Sequence, residues 1–293
     1  MSTKRSFSIS TFKLGLIGYP LSHSLSPQIH TAALQSCGLK GDYSLFPIPP
    51  EDKQGLEDLL SRIRSGEIHG LNVTIPHKQN VIPFLDELTH TAAAIGAVNT
   101  IHLRNDKLIG DNTDAPGFLA DVKRLIDSAA FNFQPSALVL GAGGSARAVV
   151  YALLSDGWRV ILVARRVEQA NELARQFEQV NIMEFNFQEL QRWNPQLIVN
   201  TTPLGMTPNY DQSPWPENLS FPTNAVIYDL VYNPRETKLV RDAQVQGLNA
   251  TTGLGMLIEQ AALAFEIWTN HSPSREIMRA AVEQSSITNY RVS

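Results

Sequence analysis

The run Gly141-Ala142-Gly143-Gly144-Ser145-Ala146 satisfies G-x-G-x-x-G/A in the setting such a turn needs: Ser136–Leu140 before it reads as a buried strand and Gly143–Leu154 as a helix. Glycines permit a tight turn and let backbone N–H groups approach a pyrophosphate, whose charge the positive end of the helix stabilises. The next strand, Trp158–Val163, completes a βαβ unit and ends in Ala164-Arg165-Arg166. A carboxylate at that end would hold a ribose 2′-hydroxyl, whereas guanidinium groups bind a 2′-phosphate through charge-assisted hydrogen bonds. Two cations at a helix start oppose the helix dipole, so a bound anion is the better account of them. The sequence therefore predicts a dinucleotide site that takes NADP(H) in preference to NAD(H). Ser26-Pro27 reads as N-cap and N1 of a helix running to about Cys37.

Metal chemistry has no comparable signal, and no metal is expected. Cys37 is the only cysteine, which excludes an intramolecular disulfide and a Cys-based zinc cluster; it reads as a small core residue. His23 and His30 share no ligand pattern with nearby Asp or Glu, and no His pair has HExxH spacing; they read as solvated or packing histidines.

The elements that must position these residues follow α/β grammar. Strands are predicted at Lys13–Gly18, Tyr43–Ile48 and Gly70–Ile75, with a helix between the last two carrying Leu56, Leu59, Leu60 and Ile63 on one stripe. A helix ending at Ala92–Ile95 precedes a strand over Ala97–Leu103, which turns at Asn105-Asp106 into Leu108-Ile109 as a hairpin. After Asp114 a helix carries Phe118, Leu119, Val122, Leu125 and Ile126, and Asn132–Pro135 supplies a turn before the βαβ unit. Further strands are read at Gln196–Val199 and Ala225–Leu230, and helices at Glu236–Gln246, Leu254–Trp268 and Ser274–Gln284. The proline-rich segment Pro203–Pro222 reads as an irregular loop.

The 293 residues suffice for two domains, and 43% hydrophobic with 18% charged residues is the balance of a globular chain. A net charge of −4 gives no basic field for a phosphodiester backbone, so nucleic acid is not an expected partner. No apolar run is long enough to span a bilayer, and Met1–Thr11 lacks the apolar segment of a signal peptide. Its Ser/Thr content with Lys4 and Arg5 reads as a frayed end, and a cytoplasmic location is expected. The sequence is compatible with a homodimer.

Five further motifs complete the pattern: Gly18-Tyr19-Pro20, His23-Ser24-Leu25-Ser26-Pro27, Asn72-Val73-Thr74-Ile75-Pro76-His77-Lys78, Gly96-Ala97-Val98-Asn99-Thr100 and Gly110-Asp111-Asn112-Thr113-Asp114. With the glycine-rich turn and Gly253-Leu254-Gly255-Met256-Leu257-Ile258-Glu259-Gln260, this ordered set resembles the shikimate dehydrogenases through nearly the whole chain. The resemblance implies two α/β domains. A substrate domain would comprise 1–113 plus 253–293, and a Rossmann-like NADP-binding domain 114–252, with the C-terminal helices returning to the first. It implies NADP-dependent interconversion of 3-dehydroshikimate and shikimate, in the shikimate pathway of aromatic amino-acid biosynthesis.

On the same resemblance, Ser24 and Ser26 would hold the substrate carboxylate. Lys78 would be the catalytic lysine, donating a proton to the developing alkoxide, with Asp114 paired beside it on a substrate hydroxyl. Asp114 also reads as an N-cap for the helix that follows it. Thr74, Asn99, Tyr232 and Gln260 would make the remaining substrate contacts. Gly141, Ala142, Gly143, Gly144, Ser145, Ala164, Arg165 and Arg166 would bind the dinucleotide, with Leu230 and Gly253 beside the nicotinamide and Asn200-Thr201-Thr202-Pro203 as a bordering loop. The chain departs from the family where Ala164 replaces the usual Asn and Arg166 the usual Thr, and Ser22 adds a third hydroxyl beside the serine pair. The alternatives are a relative that oxidises quinate and an NADPH-binding regulatory module without turnover. Opening and closing about crossings near Asp114 and Gly253 is the expected domain motion.

Overall fold

A computed structural model describes residues 11–126, 134–183 and 193–289. The Asn132–Pro135 turn and the Met1–Thr11 segment therefore lie largely outside the described residues. The chain forms two compact units, one made of residues up to Ala93, Val98–Thr113 and the chain from Ala261 on, the other of Ala94–Ala97 and Asp114–Gln260. No described helix is long and apolar enough to cross a membrane.

The first unit contains β1 (Phe12–Gly18), α1 (Ser26–Ser36), β2 (Gly41–Pro47), α2 (Lys53–Arg64), β3 (Gly70–Val73), α3 (His77–Asn80), β4 (Glu87–Leu88), most of α4 (His90–Ile95), β5 (Thr100–Arg104) and β6 (Lys107–Asp111). Its sheet has the order β2-β1-β3-β5-β6-β4. β1 is parallel to β2 and β3, and β3, β5 and β6 run antiparallel in turn. Central β1 is an almost unbroken buried run, as a strand covered on both faces must be. The predicted stripe Leu56, Leu59, Leu60 and Ile63 is buried, and Asp52 starts α2 by accepting the Gly55 N–H at 2.9 Å. Asn105 and Asp106 both adopt positive φ, 52° and 60°, giving the backbone twist a tight hairpin requires.

A close approach fixes the floor of this unit. A Cβ added to Gly70 would lie 2.2 Å from the Trp268 indole, whose Nε1 donates to the Ile101 carbonyl at 3.1 Å. Because that bond pins the ring, Gly70→Ala is expected to lower stability by about 1–3 kcal/mol, read from a urea unfolding curve.

The second unit contains α5 (Asp114–Leu125), β7 (Ser136–Leu140), α6 (Gly144–Ser155), β8 (Arg159–Val163), α7 (Val167–Gln176), β9 (Asn181–Ile182), β10 (Leu197–Asn200), β11 (Val226–Asp229), α8 (Lys238–Val245) and β12 (Ala250–Thr252). Its sheet is parallel throughout, in the order β12-β11-β10-β7-β8-β9. The chain winds outward from β7 to β9, returns to the centre at β10 and winds the other way. The direction of winding therefore reverses between β7 and β10, where such sheets open a crevice at the strands' carboxyl ends. α9 (Leu254–Thr269) begins in this unit and ends in the first, and α10 (Arg275–Asn289) packs there against α1.

The structure departs from the sequence reading at several points. The chain leaves the second unit at Gln260 instead of Gly253, because the first turns of α9 remain fastened there: the Met256 N–H donates to the Tyr228 hydroxyl at 3.3 Å. The strand expected from Ala97 begins at Thr100, and the helix expected from Glu236 begins at Lys238, where Thr237 caps it by accepting the Val240 N–H. Cys37 is half-buried and not in the core, since it sits at the C-cap of α1 with its sulfur 3.7 Å from the Ser272 carbonyl. Pro203–Pro222 forms neither helix nor strand.

Candidate active site

In the first unit, the predicted substrate residues follow the carboxyl ends of parallel strands. Ser24 and Ser26 come after β1, and Thr74 and Lys78 come after β3. Asn99 immediately precedes β5, whose antiparallel pairing brings its start to the same edge, with Thr100 opposite Asn72. Backbone hydrogen bonds fix the loops to one another. The Thr74 N–H donates to the Ile17 carbonyl and the Tyr19 N–H to Ile75, at 2.8 and 2.9 Å. The Val98 N–H donates to the Lys78 carbonyl at 2.7 Å, so the backbone beneath the lysine is held on both sides of the loop. Lys78, on the short α3, and Thr74 are half-buried.

Ser26 is not the N-cap. Leu25 holds that position without a side-chain bond, Ser26 is the first helical residue and Pro27 the second. The Ser26 N–H donates instead to the Ser24 Oγ at 3.2 Å, so Ser24 takes up the orphan amide and Ser26 need not. Ser26 also hydrogen-bonds Tyr43, whose hydroxyl donates to Asn72 Oδ1 at 2.8 Å. Burial pushes the Tyr43 hydroxyl pKa up, which keeps it a donor.

Asn99 has a strong structural role: its Nδ2 donates to Thr113 Oγ1 at 2.9 Å and its Oδ1 accepts the Thr113 N–H at 2.7 Å. It thereby fixes the chain one residue before Asp114. His23 is exposed, whereas His30 is fully buried and stacks on Tyr43 with ring centroids 4.3 Å apart. Burial lowers the His30 pKa to about 3, against a weaker opposing effect of the Asn72 side chain, so the imidazole packs as a neutral ring.

In the second unit, Asp114 is the first residue of α5 and is buried. The predicted cofactor residues lie at the carboxyl edge of the sheet. Gly141 leaves β7 with φ of 109°, its N–H donating to the Val163 carbonyl, and a Cβ there would strike Thr201 Oγ1 at 2.6 Å. Gly143 is the N-cap of α6 without a side-chain bond, and a Cβ there would meet no protein atom within 4 Å. An N-cap bare of side chain and open in front is a cradle that a pyrophosphate fits. Ala142 is buried, while Gly144 and Ser145 are half-buried on the first turn.

Ala164 is half-buried past the end of β8, and Arg165 and Arg166 are exposed, with Arg166 as the N-cap of α7. Their charge and reach suit a 2′-phosphate. Leu230 and Gly253 follow β11 and β12 in near backbone contact, since a Cβ on Gly253 would lie 2.4 Å from the Leu230 carbonyl oxygen. Tyr232 is half-buried, and burial raises the pKa of its hydroxyl. Gln260, at the unit's last position, donates from Nε2 to the Leu257 carbonyl at 2.8 Å.

Sequence reasoning missed a carboxylate beneath these loops. Asp229 closes β11, has no exposed surface, and accepts from Asn200 Nδ2 at 2.8 Å, the Val231 N–H at 3.0 Å and Thr237 Oγ1 at 2.6 Å. Burial raises its pKa to about 6 against the lowering effect of Thr237, Val231 and Asn200. The signal was an acid inside the apolar run Ala225–Leu230, where a charge must find donors. A carboxyl whose folded pKa lies above its unfolded value favours folding below about pH 4, and that contribution is lost as pH rises through about 6. The stability of the native chain relative to Asp229→Asn should therefore fall by about 2–3 kcal/mol between pH 4 and 7, measured by paired denaturant curves.

Comparison with known proteins bears on the same residues. A family model described as the shikimate dehydrogenase substrate binding domain matches residues 16–101. One described as shikimate / quinate 5-dehydrogenase matches 127–201, and one described as the shikimate 5'-dehydrogenase C-terminal domain matches 253–283. The chain is 41% identical over 272 residues to a shikimate dehydrogenase (NADP(+)) of Carboxydothermus hydrogenoformans, covering 92% of this chain and 95% of that protein. It is 43% identical over 264 residues to the protein of the same name in Salinibacter ruber, covering 87% and 91%. A solved structure of shikimate 5-dehydrogenase from Thermus thermophilus, in complex with NADP(H) and shikimate, is 37% identical with a TM-score of 0.82, covering 93% of this chain and 99% of that one. Identity at this level over nearly the full length settles the family: the chain belongs to the shikimate dehydrogenases.

Proposed function

We propose that the chain catalyses the reversible NADP-dependent reduction of 3-dehydroshikimate to shikimate, the first unit serving the substrate and the second the dinucleotide. The observation that carries this reading is the bare N-cap at Gly143 followed by Arg165 and Arg166 at the next strand end, in a chain of this family. The dinucleotide, when bound, supplies the hydride that the ketone carbon accepts. Gly141–Ser145 hold its pyrophosphate through backbone N–H groups and the α6 N-terminus, and Arg165 and Arg166 hold its 2′-phosphate. Leu230 and Gly253 border its nicotinamide.

Ser24 and Ser26 donate hydroxyl protons to the substrate carboxylate. Lys78 donates a proton to the oxygen that becomes the alcohol, stabilising the charge that develops there. Asp114 accepts a hydrogen bond from a ring hydroxyl and orients the substrate for Lys78. Thr74, Asn99, Tyr232 and Gln260 supply the remaining polar lining a polyol requires. The partners are small molecules, and a single cysteine suits a reducing, cytoplasmic compartment.

The direct test is absorbance at the reduced-nicotinamide band when purified chain is mixed with shikimate and NADP. A rise supports the reading. No rise, with NADPH still bound, would mark a binding module without turnover, and a higher kcat/KM for quinate than for shikimate would transfer the activity to that acid.

A further inference from the structure

We propose that Asp229 is a positioning residue for hydride transfer, fixing through Asn200 and Thr237 the two loops that border the dinucleotide. The inference rests on the reading above that the Asn200–Pro203 loop borders the cofactor and Leu230 its nicotinamide. Asp229 itself lies beneath the loops and is fully buried.

Its carboxylate ties the ends of the paired strands β10 and β11, where Asn200 lies opposite Asp229, to the N-terminus of α8, which no strand pairing reaches. One oxygen accepts from Asn200 Nδ2 and from the Val231 N–H, and the other accepts from Thr237 Oγ1. Asn200 relays the constraint outward. Its Oδ1 accepts the Thr202 N–H at 2.8 Å and the Thr202 hydroxyl at 2.7 Å, its Nδ2 also donates to the Leu204 carbonyl at 3.3 Å, and its own carbonyl accepts the Leu230 N–H at 2.9 Å. The loop after β10, the loop after β11 and the N-terminus of α8 thus share one buried anion. A core strand seeking only stability would place an apolar residue here, because a buried carboxylate costs free energy unless every lone pair is used. This one accepts three hydrogen bonds, and the groups that donate them lie at the carboxyl edge beside the switch between β7 and β10. That is the geometry needed to hold a ring within a fraction of an ångström of its reaction partner.

Asp229→Asn keeps the shape and removes the charge. In the chain without cofactor, amide hydrogen exchange at Thr202, Leu204 and Val231 should quicken by about tenfold or more, while exchange in β7 and β8 stays as in the native chain. NADPH affinity, measured by fluorescence titration, should change less than about threefold, because the pyrophosphate and 2′-phosphate contacts remain. Turnover per NADPH site should fall by about tenfold to a hundredfold, with a larger primary isotope effect from 4-deuterated NADPH.

Thr237→Val and Thr237→Ser extend the test should Asp229→Asn fail to fold. Valine should reproduce the loop exchange and the lower turnover, and serine should restore both. A capping role alone for Thr237 would lower the melting temperature without touching turnover per site, and that result overturns the proposal. So does unchanged exchange at Thr202, Leu204 and Val231, or an activity loss that merely follows the number of NADPH sites. Lack of turnover in the native chain would instead strike the proposed function, and the exchange data would still decide whether the carboxylate fixes the loops.

Discussion

Lys78→Ala is expected to cut turnover by about two orders of magnitude or more while changing KM much less. The reasoning is local. The backbone of Lys78 is held by the Val98 amide, and the substitution touches no bond of that backbone, so the loop should keep its shape. On the proposed mechanism what disappears is the ammonium that stabilises the oxygen as negative charge develops on it, an interaction stronger in the transition state than in the ground state. Steady-state kinetics with shikimate and NADP, beside a melting curve showing the variant folded, measure the effect. An unchanged kcat would remove Lys78 from the reaction.

Replacing Arg165 and Arg166 together with alanine is expected to weaken NADPH binding by about tenfold to a hundredfold and leave NADH binding nearly unchanged. Both side chains are exposed, so solvent screening moderates the loss, and neither supports its helix: Arg166 caps α7 without a side-chain bond. Removing cations from the positive end of α7 should, if anything, steady that helix slightly. Parallel titrations with NADPH and NADH separate the outcomes, since equal weakening of both would show that the arginines do not read the 2′-phosphate.

The fold was legible where apolar periodicity was long or turn chemistry specific. The α2 stripe, the Asn105-Asp106 hairpin and the strand–glycine–helix passage from Ser136 to Ser155 all follow from residue type and spacing. The short elements β4, β9, β12 and α3 carry too few positions to show a period and were not read. Ser26 was misread as a cap because Ser-Pro is a common entry to a helix, whereas here the hydroxyl two residues earlier does that work.

The loops carrying the candidate site could be named from their motifs, but the groups beneath them could not. Asp229, the Asn200 relay and the Tyr43–Asn72 pair depend on contacts between residues far apart in sequence, which no local pattern encodes. The end of the second unit was misplaced for a related reason. Glycine at 253 punctuates the sequence, yet the tie between Met256 and Tyr228 keeps the following turns where they are.

That last feature bears on modularity. α9 buries Met256 and Ile258 near its start and Phe265 and Trp268 near its end, the first pair within one unit's span and the second within the other's. A gene cut at Gly253 strips one fragment of apolar partners, and a cut at Gln260 leaves half a helix with nothing to propagate it. The units cannot be exchanged as interchangeable parts, since a junction at either place divides this rod from residues to which it is fastened.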